Sequence, residues 1–362
     1  MSKIFYFVVH NFSQEVSGGV NRVVAETANE LCKNSEIDVN ILSLAKLNGT
    51  SYPVDSRIHL HSLNMKKYST THYKGILKIF WLISTFFFML KFLNNKSKDN
   101  LIFNLTSPPL IILFALFFKR TNFKLLFCEH SSPLNRKRTK AYNFIRNLIL
   151  KKGHLVIALN KKDDEFYKSQ GINSRLIYNG INFPANTNID TNTKKIIFVG
   201  RFSPEKDPLE ALFIFYESKL WMDGYKLYFY GYGPLKNNIL QKISEFSLNS
   251  HVFIIEGETN RDVIYKGACC LIMTSKYEGF GMVLVEAMSY GIPCIAYDCP
   301  EGPSDIIVDD FNGYLIPLNE RNIFIERLSC LAFKGLDVNE IKGSIVNYGI
   351  SKIASKWISI IF

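Results

Sequence analysis

Short apolar runs at residues 4–9, 37–42, 101–104, 124–128 and 155–159 are separated by longer stretches whose apolar positions recur at helical spacing. Runs without an alternating polar face predict strands buried on both sides, and their alternation with helices predicts a parallel sheet. The rhythm stops near Arg175–Tyr178. There Asn179-Gly180-Ile181-Asn182-Phe183-Pro184 leads into a polar stretch, 185–193, which reads as a hinge. Beyond it the rhythm restarts, with strands expected at 195–199, 226–230, 252–255, 271–274 and 294–297. Two α/β domains follow. Helix ends are also marked: Asn260 is placed to cap a helix starting near Arg261, and Tyr290-Gly291-Ile292-Pro293 is a stop signal.

Two longer apolar segments test for a membrane span. The first, 75–93, contains an uncharged run of 12 residues from Ile79 to Leu90. A bilayer needs about 20. Apolar residues all round favour a helix buried on the sheet, whereas flanking Lys66, Lys67, Lys74, Lys78, Lys91, Lys96 and Lys98 favour an interfacial helix touching lipid. The sequence supports both readings equally. The second, 101–118, is broken by Asn104, Thr106, Ser107, Pro108 and Pro109 into a strand, a turn and a short helix. The first apolar run is too short for a signal peptide and reads as strand, so a cytoplasmic protein is expected.

Charge changes this picture. The 362 residues carry a formal +11 and are 47% hydrophobic, ample for two cores. Residues 1–185 hold 26 Lys+Arg against 11 Asp+Glu, and the remainder hold 17 against 21. The halves are therefore +15 and −4, and the first half should face an acidic partner. An anionic membrane surface is expected. Nucleic acid is not, because no binding signature accompanies the charge. Seven cysteines, with no Cys-x-x-Cys, fit reduced thiols better than disulfides or zinc. Cys128 lacks the partners of a thiol nucleophile, and His59 and His61 lack a third metal ligand nearby. Asp309-Asp310 reads as a turn before Asn312-Gly313. No metal is expected.

The strongest chemical signal is Glu278 and Glu286, eight residues apart in a glycine-bracketed loop that runs into a helix expected over 282–290. Gly279 and Gly281 let backbone approach a ligand, and the N–H groups of Phe280, Gly281 and Met282 at the helix start suit an anion. Ionised carboxylates accept hydrogen bonds, so the two glutamates suit hydroxyl-rich groups such as a hexose and a ribose. The combination points to a nucleotide sugar. Arg201 and Lys206 follow the strand expected at 195–199, at the carboxyl end where open sheets bind ligands. Gly18 and Gly19 follow the first strand and offer a second phosphate loop. They do not form Gly-x-Gly-x-x-Gly, which disfavours a dinucleotide dehydrogenase.

Four segments in order, Ser17-Gly18-Gly19-Val20, Phe198 through Asp207, Tyr230-Gly231-Tyr232-Gly233-Pro234 and Glu278 through Pro293, resemble the retaining glycosyltransferases of family 4. Glu129-His130 adds to the likeness. The resemblance implies a GT-B fold of two facing Rossmann-like domains: an acceptor-binding domain at 1–185, a donor domain at 186–345, and a helix at 346–362 that crosses back to the first. It implies that Gly18, Gly19, Arg201 and Lys206 hold the donor diphosphate, that Glu278 through Met282 hold the donor sugar, and that Glu286 holds the ribose. His130 and Glu278 are the residues it places nearest the reacting centre. The implied activity is transfer of a hexose or N-acetylhexosamine, UDP-linked, to a lipid-linked or polysaccharide acceptor in capsule, O-antigen or related glycan assembly, with the enzyme peripheral on the inner face of the plasma membrane. The rival readings are a GT-B nucleotide-sugar epimerase and a basic nucleic-acid-binding module.

Overall fold

The computed structural model describes residues 2–15, 18–65, 76–94, 101–105, 124–130, 133, 140–152, 155–184 and 193–362. Ser17, the turn and helix expected after residue 105, hinge residues 185–192, and Lys66, Lys67, Lys74, Lys96 and Lys98 lie outside them. The chain divides into two compact units, Met1–Asn182 with Ile350–Phe362, and Phe183–Gly349.

The first unit is built on seven strands: β1 (Lys3–Val9), β2 (Ile37–Ala45), β3 (His59–Met65), β4 (Leu101–Leu105), β5 (Lys124–Cys128), β6 (Leu155–Ala158) and β7 (Ser174–Leu176). Their order is β3-β2-β1-β4-β5-β6-β7, and every pair is parallel. Alternate residues of β1 show why the strands lack a polar face: Phe5, Phe7 and Val9 enter one core while Tyr6 and Val8 enter the other. Helices Gly19–Leu31 and Ile350–Ile361 cover the first face. Helices Ile76–Asn94 and Lys140–Lys152 lie on the second.

The closing helix buries Ile353, Ala354, Trp357, Ile360 and Ile361, a single stripe at helical spacing. Trp357 meets Phe5 and Phe7 edge-on, with ring centroids 6.0 and 6.3 Å apart. Lys124 Nζ donates to the Ile360 carbonyl. Helix Ile76–Asn94 behaves differently from either single expectation. Trp81, Thr85 and Met89 turn inward, whereas Phe80, Ile83 and Phe87 are exposed. Among the described residues no helix is long and apolar enough to cross a membrane.

The second unit repeats the plan with β8 (Lys195–Val199), β9 (Lys226–Tyr230), β10 (Val252–Ile255), β11 (Ala268–Met273), β12 (Cys294–Tyr297) and β13 (Gly313–Ile316), ordered β10-β9-β8-β11-β12-β13 and again all parallel. β11 starts three residues before the expected run because Ala268, Cys269 and Cys270 are themselves buried strand residues. β3, β7 and β13 are short or polar at one end, and the apolar pattern did not mark them as part of the rhythm. In both sheets the order turns at the middle pair, β1/β4 and β8/β11. That is where ligands bind at the carboxyl ends of strands.

Candidate functional site

The loop leaving β8 is held by backbone. Gly200 N donates to the Tyr230 carbonyl at 3.0 Å, Phe202 N to Tyr232 at 2.8 Å, and Leu235 N to Phe202 at 3.0 Å. The two loops approach so closely that a Cβ on Gly231 would sit 1.9 Å from the Gly200 oxygen, and one on Gly233 would sit 2.4 Å from that of Phe202. Only glycine fits there. This clasp fixes the turn that carries Arg201, which is exposed, and Lys206, which is half-buried.

The loop leaving β11 locks onto the same turn. Thr274 Oγ1 donates to the carbonyls of Asp207 (2.8 Å) and Lys206 (3.2 Å), and Lys276 N donates to that of Glu205 at 2.9 Å. Glu278 Oε1 then accepts from Lys206 Nζ at 2.5 Å and from Ser275 Oγ at 2.7 Å. Gly281 caps the next helix, Met282–Ser289, from the left-handed region (φ +93°), where a side chain would be strained. The helix starts where expected and ends one residue early. Asn260 caps helix Arg261–Tyr265, accepting from Asp262 N.

Glu286 projects from the middle of Met282–Ser289 and is only 4% exposed. Tyr265 O–H donates to its Oε2 at 2.7 Å, and Arg261 Nε lies 3.9 Å from Oε1. Tyr265 stacks on Tyr290 at 5.4 Å, and Tyr290 O–H donates to Asp262. A carboxylate buried this far needs such donors to replace its lost hydration. Arg201, Lys206 and the loop from Glu278 to Met282 thus follow the carboxyl ends of β8 and β11, at the turn of the strand order, while Glu286 lies on the helix beyond, beside Arg261 and Tyr265. Nearby Glu205 shows the local potential: burial pushes its carboxyl up, but the Ser203 hydroxyl, its own loop backbone, Arg201 and Lys206 together bring it below the usual range.

Gly18, Gly19 and His130 belong to the first unit. Gly18 is extended and opens helix Gly19–Leu31; a Cβ on either glycine would meet nothing within 4 Å, so local packing does not dictate them. His130 follows β5, its Nε2 3.8 Å from Cys128 Sγ. Burial pulls its imidazole down to about 4 and pushes the Cys128 thiol up to about 12, so both are neutral near pH 7. The preceding Glu129 sits in a buried triad that sequence reasoning missed. Arg146 donates to Glu129 and to the Tyr167 hydroxyl (2.8 Å), and that hydroxyl donates to Glu129 at 2.7 Å. Arg146 lies in a basic helix, and nothing in its neighbours marks it as the residue turned inward. Tyr265 and Arg261 were missed for a similar reason, since partners 21 or more residues from Glu286 leave no periodic signal.

His59 and His61 have structural partners, Asp38 Oδ1 at 3.5 Å and Asn40 Oδ1 at 2.8 Å. All seven cysteines are free, and among the described residues no three His, Cys, Asp or Glu side chains cluster to hold a metal.

Residues 181–331 match the family described as Glycosyl transferases group 1. Over 94% of this chain and 95% of the relative, the sequence is 27% identical to the amylovoran biosynthesis glycosyltransferase AmsD of Erwinia amylovora. It is 24% identical, over 95% of each, to a Campylobacter jejuni alpha-1,4-N-acetyl-D-galactosaminyltransferase whose named substrate is a diphospho-undecaprenol-linked glycan. The chain is a GT-B glycosyltransferase. Its fold is shared with S. aureus TarM, solved as a mutant with fondaparinux, alpha-GlcNAc-glycerol and UDP: the TM-score is 0.80 over 99% of this transferase and 100% of that chain, at 15% identity. The named relatives are transferases, which leaves the epimerase reading of this glycosyltransferase unsupported.

Proposed function

We propose that this enzyme moves a hexose or N-acetylhexosamine, with retention of configuration, from a UDP-sugar to a lipid-linked or polysaccharide acceptor in bacterial capsule, O-antigen or related glycan assembly. The observation that carries the reading is the switch-point arrangement: a half-buried Lys206–Glu278 pair on loops clasped to each other, and a buried, donor-fitted Glu286 on the helix that follows. UDP in the TarM structure supports the donor base, and the names of the two sequence relatives support a bacterial surface glycan.

In this scheme Arg201, Lys206 and the N–H groups at the start of Met282–Ser289 neutralise the diphosphate as it leaves, which needs no metal. Glu278, oriented by Lys206 and Ser275, has acceptor capacity left for donor-sugar hydroxyls, and Glu286 takes the ribose hydroxyls. The departing phosphate then assists deprotonation of the acceptor on the same face of the sugar. His130, neutral at pH 7, acts there as a hydrogen-bonding group and not as a charged acid. Gly18 and Gly19 give the diphosphate an open backbone loop. The domains assign accordingly, with bounds moved by a few residues from 1–185, 186–345 and 346–362: Met1–Asn182 with the return helix Ile350–Ile361 to the acceptor, and Phe183–Gly349 to the donor. The basic half rests on the anionic inner face of the plasma membrane.

A screen of nucleotide sugars tests this, reading nucleotide diphosphate release with and without a lipid-linked glycan extract. UDP release from one sugar, faster with acceptor and giving an axial linkage by NMR for a donor with an axial phosphate, is expected. Failure of every nucleotide sugar, or an inverted linkage, overturns it.

A further inference from the structure

In the first unit, the two described helices that pack against the core of Tyr6, Val8, Phe103 and Phe127 each carry an exposed apolar stripe. On helix Ile76–Asn94 the residues Phe80 (63% exposed), Ile83 (47%) and Phe87 (62%) lie at i, i+3 and i+7, and the exposed Lys91 follows at i+11. On helix Lys140–Lys152, Phe144 (66%) and Leu148 (45%) lie at i and i+4, and the exposed Lys151 follows at i+7. The inward sides of both helices enter the same core, through Trp81 and Met89 on one and Leu150 on the other. The outward stripes therefore share one side of the unit. Only the first was foreshadowed by an apolar run; the second sits in a helix that is polar on average.

We propose that these two stripes form one lipid-facing ridge, through which the enzyme inserts phenylalanine and leucine side chains into an anionic bilayer surface. The charge selects the occupant. Seven Lys lie between residues 66 and 98 with no Asp or Glu among them, and between 136 and 152, again with no acid, six Lys+Arg remain once Arg146, buried against Glu129, is set aside. A second copy would bring like charge against like charge. A polyanion such as nucleic acid matches the lysines but leaves exposed phenylalanine unused. An anionic lipid surface satisfies both, with cations at the headgroups and apolar rings just beneath. The inference rests on the lipid-linked acceptor reading and gives that acceptor a place to be met.

The test uses the full chain floated with phosphatidylglycerol-containing and with pure phosphatidylcholine vesicles, while UDP-sugar hydrolysis in solution is read in parallel. Binding to the anionic vesicles is expected. The double variants Phe80→Ser with Phe87→Ser, and Phe144→Ser with Leu148→Ser, should each bind about tenfold more weakly or worse, as the loss of two inserted side chains implies. Hydrolysis should stay unchanged, because none of the four residues belongs to the donor site. As a readout that does not rest on a loss, Phe144→Trp should shift its emission to the blue on anionic vesicles alone. Wild-type-like flotation of both double variants, equal binding to neutral and anionic vesicles, or a stable dimer dissolved by the same substitutions would overturn the ridge. Normal flotation without hydrolysis of any nucleotide sugar would instead overturn the transfer reading and leave the ridge standing.

Discussion

Glu286 is the residue whose environment says most about its work. A carboxylate held by Tyr265 and approached by Arg261 is set in one orientation before any ligand arrives. Replacing Tyr265 with Phe removes one charge-assisted hydrogen bond, about 1.5–3 kcal/mol, and should raise KM for the donor roughly tenfold or more with little change in kcat. Steady-state kinetics against the assigned donor check it; an unchanged KM removes Tyr265 from this role. Arg201→Ala has no packing to lose and should instead cost donor kcat/KM by a comparable factor while leaving the thermal midpoint alone. Histidine supplies a pH prediction. Burial holds His10 and His130 at about 4, below the ordinary 6.5, so between those values the unfolded chain takes up protons that the folded chain refuses. Stability is therefore unaffected above about pH 6.5, falls as pH drops towards 4, and then levels. His130→Asn should flatten that fall, as denaturant titrations at several pH values will show. The residues that touch a ligand in the proposed site were legible in the sequence because glycine, acid and base stand within a few positions of one another. Those that hold them in place were not: Tyr265, Ser275 and Arg146 act across folds of the chain, and their neighbours in sequence carry no trace of it.

At the level of elements, the clasp between the loops after β8 and β9 is the least forgiving join in the second unit. Gly231→Ala forces a carbon into the Gly200 carbonyl and should destabilise the protein by roughly 3 kcal/mol or more, with donor use falling as the turn bearing Arg201 and Lys206 shifts. A normal thermal midpoint for that variant would show that the loops have room to part. In the first unit Trp357→Ala should cost about 3–5 kcal/mol, since the cavity opens against Phe5 and Phe7 at the centre of one core. Strands buried on both faces were easy to read because they are unbroken apolar runs. β3, with His59, His61 and Asn64, was not, because an edge strand needs an apolar pattern on one side only. Helix Ile76–Asn94 marks a second boundary. Apolar residues all round do not reveal which side the sheet takes, and that choice depends on the positions of Trp81, Thr85 and Met89 relative to β3.

At the scale of the whole molecule, the proposed donor chemistry would draw its positive charge from the protein itself. EDTA should therefore leave the rate within about twofold, and an absolute need for Mg²⁺ restored on addition would count against the proposed neutralisation by Arg201, Lys206 and helix N–H groups. The return of Ile350–Ile361 to the sheet that begins the chain has a consequence for synthesis. A ribosome delivers β1 well before the wall that closes over Phe5 and Phe7, with the whole of Phe183–Gly349 made in between. The second unit, complete by Gly349, is free to fold while the first still exposes one core. A premature stop just after Gly349 would thus spare the half nearest the break and cripple the half farthest from it, leaving a chain that keeps the proposed donor site but presents an open, aggregation-prone sheet to the cell's proteases.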